Sequence, residues 1–114
     1  MATVASRRRR GAETERLVAA AWRADGWPHA EVVRGPGADL SGTPGLDVEV
    51  KARRGWAPLE WMRQQAKRVH SGVIPVAIVR PDGAGPATVD DWPAVVPHGV
   101  LRRLLREAGY GSPL

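Results

Sequence analysis

The sequence predicts an α/β domain with the element order α-β-β-β-α-β-β-α, on the basis of three kinds of pattern. Residues 46–51 alternate apolar and ionisable side chains, which is the period of a half-buried β-strand. Residues 74–79 are a continuous apolar run, which suits a strand buried on both faces. Residues 11–25 and 58–69 carry apolar side chains at helical spacing. No repeat or linker divides these elements, so we expect one α/β sandwich over residues 11–114.

Size and composition restrict the class of protein. A chain of 114 residues is long enough for one hydrophobic core. It contains no cysteine, which excludes disulfides, thiolate metal sites and a cysteine nucleophile. The net charge of +5 and the pI of about 11.0 are typical of proteins that bind polyanions. No signal-peptide pattern and no apolar run of membrane length occur, so we expect a cytoplasmic protein that does not contact a membrane.

The N-terminal part predicts a basic arm followed by a helix. Residues 1–10 lack apolar periodicity and include Arg7, Arg8, Arg9 and Arg10, which predicts a disordered arm, either an unstructured tail or a contact to a nucleic-acid backbone. A helix is predicted from Gly11 to about Asp25, and Gly26 is expected to end it. The residues that share its apolar face are Thr14, Leu17, Val18, Ala21 and Trp22. Glu13 and Glu15 border opposite sides of this face, and periodicity does not choose between them.

The next segments predict three strands. Glu31–Arg34 is the first, and Ala38–Ser41 and Leu46–Lys51 are expected to form a hairpin across the turn of residues 42–45. In the last strand Leu46, Val48 and Val50 would enter the core, while Asp47, Glu49 and Lys51 would share the opposite face. Asp39 is expected opposite Glu49 or one position off.

The second half predicts a helix, two strands and a short helix. The first helix starts near Pro58 and runs to about Val69, with Gln65 at the edge of its buried stripe. The members of that stripe are Leu59, Met62, Ala66 and Val69. Ile74–Val79 and Trp92–Val96 are predicted strands, and Val100–Ala108 is a predicted helix.

The polar face of residues 46–51 is the strongest indication of chemistry. Carboxylates and an ammonium group on one sheet face are suited to holding Mg²⁺ and directing a water at a phosphodiester. The alternative is a half-exposed strand with a solvated polar side. Only two of the 17 lysine and arginine residues are lysines, Lys51 and Lys67, and one of them lies in this strand. Because lysine is a compact cation that can shift its pKa, this choice favours the catalytic interpretation.

A short motif in this region resembles the core of the PD-(D/E)XK nuclease superfamily. It consists of Asp39, nine intervening residues, and Glu49-Val50-Lys51. The segments Gly11–Val18, Asp25–Trp27 and Val32–Arg34 are similar to the opening of archaeal-type Holliday-junction resolvases. Residues 39–51, with Gln65-Ala66 and Ile74-Pro75 downstream, are similar to small phage-encoded resolvase-like proteins. The resemblance covers roughly residues 8–80.

The resemblance implies a fold and a set of site residues. The fold would be restriction-endonuclease-like, with an α-β-β-β-α-β core and a mixed central sheet flanked by helices. Asp39 and Glu49 would be metal ligands, and Lys51 the catalytic lysine. Glu15 is selected over Glu13 as the acid at the edge of the site. Gln65 would support the site from the second helix.

Two residues depart from the pattern of the resembled proteins. Ala38 stands where the motif has proline, a residue that only shapes the backbone. Asp47 occupies a position that is often histidine or apolar in the phage proteins. This additional acid would either enlarge the metal site or face solvent.

The resemblance also implies a cofactor, partners and a reaction. The cofactor would be Mg²⁺, with Mn²⁺ able to substitute, and the substrate would be DNA, specifically a four-way junction. Seven arginines are expected to contact phosphates, namely Arg7, Arg8, Arg9, Arg10, Arg34, Arg53 and Arg54. Two symmetric incisions by a one-site chain imply a C2 homodimer, in the host cytoplasm if the chain is phage-encoded. The alternatives are a restriction-like, repair or single-strand nuclease, and a basic DNA-binding or architectural protein that does not cleave.

Overall fold

The computed structural model describes residues 3–52 and 55–113, and these form an α/β structure with the predicted element order. Its helices and strands are α1 (Val4–Ala24), β1 (Glu31–Val32), β2 (Leu40–Ser41), β3 (Leu46–Lys51), α2 (Pro58–Ala66), β4 (Ile74–Val79), β5 (Ala94–Val95) and α3 (His98–Glu107). A 3₁₀ segment, Pro86–Asp91, precedes β5. The bounds of β3 and β4 agree with the prediction, whereas β1, β2 and β5 are shorter than predicted. In the described part of the chain, no helix has the length and apolar character needed to cross a membrane.

The strands form two sheets. In the larger one β4 lies between β3 and β5; it is parallel to β3 and antiparallel to β5, so the sheet is mixed. The parallel register runs from Leu46 opposite Ile74 to Lys51 opposite Val79. Two adjacent parallel strands need a crossover connection, and α2 lies in it. The smaller sheet is an antiparallel pair of β1 and β2.

Apolar packing on both faces of the larger sheet explains why β3 and β4 are strands. On one face Val48 is fully buried and belongs to a cluster with Val18 and Ala19 of α1. Leu46 and Val50 pack against the same cluster, which confirms the predicted apolar face of β3. On the other face Trp61 of α2 packs with Ala77 and Val79 of β4. The sheet therefore lies between α1 and α2.

Helix α1 begins earlier than the sequence analysis predicted. The Thr3 side chain caps its N-terminus by accepting a hydrogen bond from the backbone N–H of Ser6, at 3.0 Å. Residues 4–10 are helical, so the expectation of a disordered arm over residues 1–10 is wrong for this part. The expectation rested on the absence of apolar periodicity, which indicates only that nothing packs on these turns. The first buried residue of the helix is Thr14.

Helix α2 buries a different stripe from the one predicted. Its buried residues are Trp61 and Gln65, whereas Leu59 is 57% exposed and Ala66 is also exposed. The physical reason lies beneath it, because the face of β3 that α2 covers carries Asp47 and other polar side chains. A helix packed on that face must present hydrogen-bonding groups as well as apolar ones.

The predicted hairpin between β2 and β3 is not formed as a ladder; β2 instead pairs with β1. The two segments are joined by only two hydrogen bonds at Asp39. Its backbone N–H donates to the carbonyl of Val48 at 2.9 Å, and its carboxylate Oδ2 accepts from the N–H of Val50 at 2.8 Å. The side chain of Asp39 thus takes the donor that a continued ladder would have used.

Candidate active site

The site is built on the polar face of β3, where Asp47, Glu49 and Lys51 alternate with the buried valines. This face is covered, since Asp47 is buried and the side chains of Glu49 and Lys51 are only 14% and 13% exposed. A solvated polar face, the simplest alternative to a site, does not fit this burial. Charges placed here need partners or a ligand.

Asp39 reaches this strand from the segment before β2. Its hydrogen bond from Val50 places its carboxylate beside the residue that separates Glu49 from Lys51. Burial raises the pKa of Asp39, and the negative charge of Glu49 raises it further. The Val50 hydrogen bond, Lys51 and the more distant Arg68 oppose the rise without cancelling it.

The structure separates the two glutamates of α1 that periodicity could not distinguish. Burial raises the pKa of Glu15, and the negative charges of Asp39 and Glu49 raise it further. Glu13 instead accepts a hydrogen bond from Nη1 of Arg80 at 3.2 Å. We refer to these acids as the acid cluster, which consists of Glu15, Asp39 and Glu49.

Lys51 is held beside the acid cluster. Its Nζ lies 3.3 Å from Oε2 of Glu49. It also lies 5.8 Å from the centroid of the Trp61 ring, a cation–π distance. These contacts fix the ammonium group between α2 and β3, next to the carboxylates that the sequence grouped with it.

Arg68, which no sequence pattern indicated, makes the shortest ionic contacts among the described residues of the site. Its Nε lies 2.8 Å from Oδ2 of Asp47, and its Nη2 lies 2.9 Å from Oδ1 of Asp47 and 2.6 Å from Oε1 of Glu49. Burial acts to raise the pKa of Asp47, but hydrogen bonds from Arg68 and Gln65 outweigh it and the pKa is lowered. A helical spacing of 61, 65 and 68 would have identified Arg68 if Trp61 had been taken as the buried anchor.

Gln65 contacts this face as predicted, but its partner is Asp47 and not a predicted metal ligand. Its Nε2 lies 3.1 Å from the backbone carbonyl of Asp47, from Oδ1 of Asp47 and from the carbonyl of Val76. Gln65 is 1% exposed, and its Oε1 has no hydrogen-bond partner among the described residues. It therefore ties β3 to β4 and steadies Asp47.

The predicted phosphate-binding arginines are dispersed. Arg7, Arg8 and Arg9 are exposed on the first turns of α1, and Arg10 donates from Nη2 to the carbonyl of Pro81 at 3.2 Å. Successive helical residues are about 100° apart, so these four cannot all face one ligand. Arg34 is also exposed, and its charge acts to lower the pKa of Glu15. Arg53 and Arg54 lie outside the described residues.

The oxygen donors near Asp39 have the chemistry that Mg²⁺ requires. Asp39 and Glu49 supply carboxylates, and the carbonyl of Val50 points to the same strand edge as its N–H. Over residues 3–52 and 55–113, however, no three His, Cys, Asp or Glu side chains are already arranged around a metal position. Both oxygens of Glu49 are ion-paired, with Lys51 and Arg68. The donor types therefore fit a hard cation, but Glu49 must release an ion pair to bind it.

The arrangement combines crowded acids, an adjacent ammonium group and a neighbouring guanidinium group in a partly covered site. Such a site can bind a divalent cation, orient a water or bind an anion. No protein-family model, curated protein sequence or solved structure matches the chain.

Proposed function

We propose that this chain is a metal-dependent endonuclease that hydrolyses phosphodiesters in branched DNA, with the four-way Holliday junction as its substrate. The observation that carries the proposal is the hydrogen bond from Val50 to the Asp39 carboxylate. It brings an acid from another segment beside Glu49 and Lys51, which already share a face of β3. Two acids and a lysine from two segments thus lie at one edge of the sheet.

The raised pKa values of Asp39 and Glu15 support a cation-binding role. Both groups are partly buried and repelled by other acids of the cluster, so they carry negative charge that the protein does not fully compensate. Perturbed acids of this kind are characteristic of functional sites. Asp39 and Glu49 would hold Mg²⁺, with Mn²⁺ able to substitute, and Glu15 would border the same site.

The chemistry divides between the ion and the chain. When bound, the ion would polarise a phosphoryl oxygen and lower the pKa of a water. Lys51 would orient the attacking water or stabilise the charge that develops on the phosphate. Gln65 would act indirectly, through its hydrogen bonds to Asp47.

The topology supports a restriction-endonuclease-like core as the finer description of the fold. The order α1-β1-β2-β3-α2-β4 follows the α-β-β-β-α-β pattern, with β3 and β4 parallel across α2. The acid from the preceding segment joins Glu49 and Lys51 at β3, as the PD-(D/E)XK resemblance implies. The separate β1–β2 pair differs from a single continuous sheet.

DNA is the polyanion that best suits the charges. The chain has a net charge of +5, and the exposed Arg7, Arg8, Arg9 and Arg34 are suited to phosphate contacts that do not depend on sequence. Resolving a four-way junction requires two symmetric incisions, and one chain supplies one site. A C2 homodimer is therefore part of the proposal.

A second candidate is a basic DNA-binding protein that does not cleave. The observation that favours it is the pairing of both Glu49 oxygens with Lys51 and Arg68. In this alternative the ion pairs are permanent and only hold α2 on the sheet. A protein that only binds DNA gains nothing from the unfavourable burial and mutual repulsion of Glu15 and Asp39. We therefore prefer the nuclease.

The test uses labelled four-way junction, matched duplex and single-stranded DNA, each with Mg²⁺ or with EDTA. We expect paired, symmetric incisions in the junction that require Mg²⁺, and a dimer in sedimentation without DNA. Cutting of duplex or single strands alone would indicate a restriction-like, repair or single-strand nuclease. Junction binding without cleavage in Mg²⁺ or Mn²⁺ would support the non-catalytic protein. The exposed-acid variant Glu60→Gln serves as the control.

A further inference from the structure

The Asp47–Arg68 pair leaves one edge of the guanidinium group unoccupied by Asp47. A guanidinium group has five N–H donors. Asp47 occupies the side edge formed by Nε and Nη2, in a bidentate contact at 2.8 and 2.9 Å. The second N–H of Nη2 donates to Glu49 at 2.6 Å. No described residue accepts a hydrogen bond from Nη1, and the side chain is 28% exposed.

One N–H of the end edge of the Arg68 guanidinium group contacts the acid cluster, at Glu49. This edge consists of Nη1 and Nη2, and its present neighbour is Oε1 of Glu49. Two parallel N–H groups match two oxygens of a phosphate, which is the usual bidentate arginine contact. If Glu49 turns to another ligand, the end edge becomes open while the side edge remains held by Asp47.

Asp47 is unsuited to be a metal ligand. Both of its oxygens accept hydrogen bonds from Arg68, and Oδ1 also accepts one from Gln65. Asp47 is 7% exposed, so water does not compete for these contacts. Gln65 and Arg68 both come from the α2 end of the site, and both are fixed to this one carboxylate.

We propose that Arg68 binds the substrate phosphate at the acid cluster, and that Asp47 is the positioning residue that aims it. This inference rests on the proposed nuclease function and adds its phosphate-binding group. The ligand is a phosphate of the DNA backbone, held by the end edge of the guanidinium. Asp47 acts only through Arg68.

The experiment uses the full chain with Arg68→Ala, Arg68→Lys, Asp47→Asn and the control Arg63→Ala, an exposed arginine on α2. Single-turnover junction cleavage in Mg²⁺ is measured with and without millimolar guanidinium ion. We expect Arg68→Ala to cleave about a hundredfold more slowly, as for loss of one donor to a developing charge. Added guanidinium should restore a measurable part of the rate, which a purely structural role would not allow. Arg68→Lys keeps the positive charge but loses the bidentate guanidinium group, so it should fold and still cleave slowly.

Metal binding gives a readout that does not depend on activity. Titration of Mn²⁺ alone into Asp47→Asn should give the wild-type affinity, and Arg68→Ala should bind Mn²⁺ equally or more tightly because Glu49 is released. A loss of tenfold or more in Asp47→Asn would make Asp47 a ligand and overturn the proposal. Wild-type cleavage by Arg68→Ala, or a defect that guanidinium does not rescue, would overturn it as well.

Failure of the nuclease proposal is distinguishable from failure of this one. If the wild-type chain cuts no DNA in Mg²⁺ or Mn²⁺, junction binding in Ca²⁺ is compared between Arg68→Ala and Arg63→Ala. A clearly larger loss of affinity in Arg68→Ala would keep Arg68 as a phosphate-binding group in a non-catalytic protein. Equal affinities would reject it.

Discussion

The two ends of the candidate site treat their carboxylates in opposite ways. At the Asp47 end, Arg68 and Gln65 satisfy the carboxylate and its pKa is lowered. In the acid cluster, burial and mutual repulsion raise the pKa values of Asp39 and Glu15. One site therefore contains an acid whose charge the fold stabilises and acids whose charge the fold opposes.

This difference separates a structural task from a functional one. A satisfied ion pair stabilises the fold only in its native arrangement and has no need of a ligand. Crowded acids reduce stability, and such a cost is typical of sites that bind a cation or transfer a proton. We therefore propose that Asp47 positions Arg68 and that Asp39 takes part in the chemistry.

The largest expected effect is on cleavage. Asp39→Ala, Glu49→Ala and Lys51→Ala should each slow Mg²⁺-dependent junction cleavage by about a hundredfold or more, because a catalytic ion contributes several kcal/mol. Junction binding in EDTA should persist, and it should tighten in the two acid variants because repulsion of phosphate is removed. Cleavage assays and gel shifts measure the two properties separately. Cleavage at the normal rate would place the site elsewhere, and Glu60→Gln is the matched control.

Stability should respond in opposite directions at the two ends. At neutral pH in EDTA, Asp47→Asn should lower the free energy of unfolding by about 2 kcal/mol, since it weakens charge-assisted hydrogen bonds and leaves Arg68 without its counter-charge. Asp39→Asn should be neutral or stabilising by up to about 1 kcal/mol, because an amide oxygen can still accept the Val50 hydrogen bond. Urea unfolding measures both. An equal loss of unfolding free energy in the two variants would contradict the proposed difference between the two ends of the site.

The same two variants should differ in the pH range over which their stability differs from that of the wild type. The pKa of Asp47 is lowered in the folded state, so its ionisation stabilises the fold above its ordinary pKa of 3.8 and this contribution is lost as the pH falls through the lower folded value. The pKa of Asp39 is raised, so its ionisation destabilises the fold at neutral pH and that cost disappears as the pH falls toward 3.8. Unfolding curves at successive pH values should therefore show that, as the pH falls, the free energy of unfolding of Asp39→Asn approaches that of the wild type above pH 3.8. The free energy of unfolding of Asp47→Asn should approach that of the wild type only below pH 3.8. Convergence of both in one range would contradict the opposite shifts.

The smallest expected effect is on the salt dependence of DNA binding. Replacing Arg7, Arg8 and Arg9 singly by alanine should reduce the slope of log affinity against log salt by about 0.9 for each arginine that contacts a phosphate. The helical geometry predicts that at least one of the three makes no contact, because they point in different directions. Equal reductions for all three would indicate that α1 unwinds on DNA at these residues.

Patterns within single segments were predictable from the sequence, and pairings between segments were less so. The alternation of residues 46–51 fixed the two faces of β3, since a period of two leaves no other arrangement for a half-buried strand. The approach of the Asp39 carboxylate to β3, at the backbone N–H of Val50, agrees with that parity and the intervening turn. Their catalytic and metal-binding roles stay predictions.

The errors arose where one segment determines the structure of another. The buried face of α2 depends on the polar surface of β3 beneath it, so apolar periodicity alone selected Leu59 in place of Gln65. Arg68 was missed for the same reason, because its partners are on β3. The hairpin ladder failed because the Asp39 side chain replaced a backbone acceptor, a substitution that no periodic pattern reveals.

Gly42, in the turn between β2 and β3, limits how the segment that carries Asp39 could be altered by mutation. Its φ is +75°, and a Cβ built on it would clash with the backbone carbonyl of His29. Any side chain there must displace either the loop after α1 or the turn itself. A change as small as Gly42→Ala should therefore shift Asp39 away from β3 without altering any charge in the site. The loop at His29 takes no part in the proposed chemistry. Its backbone nevertheless restricts the conformation of the turn that positions the candidate metal ligand.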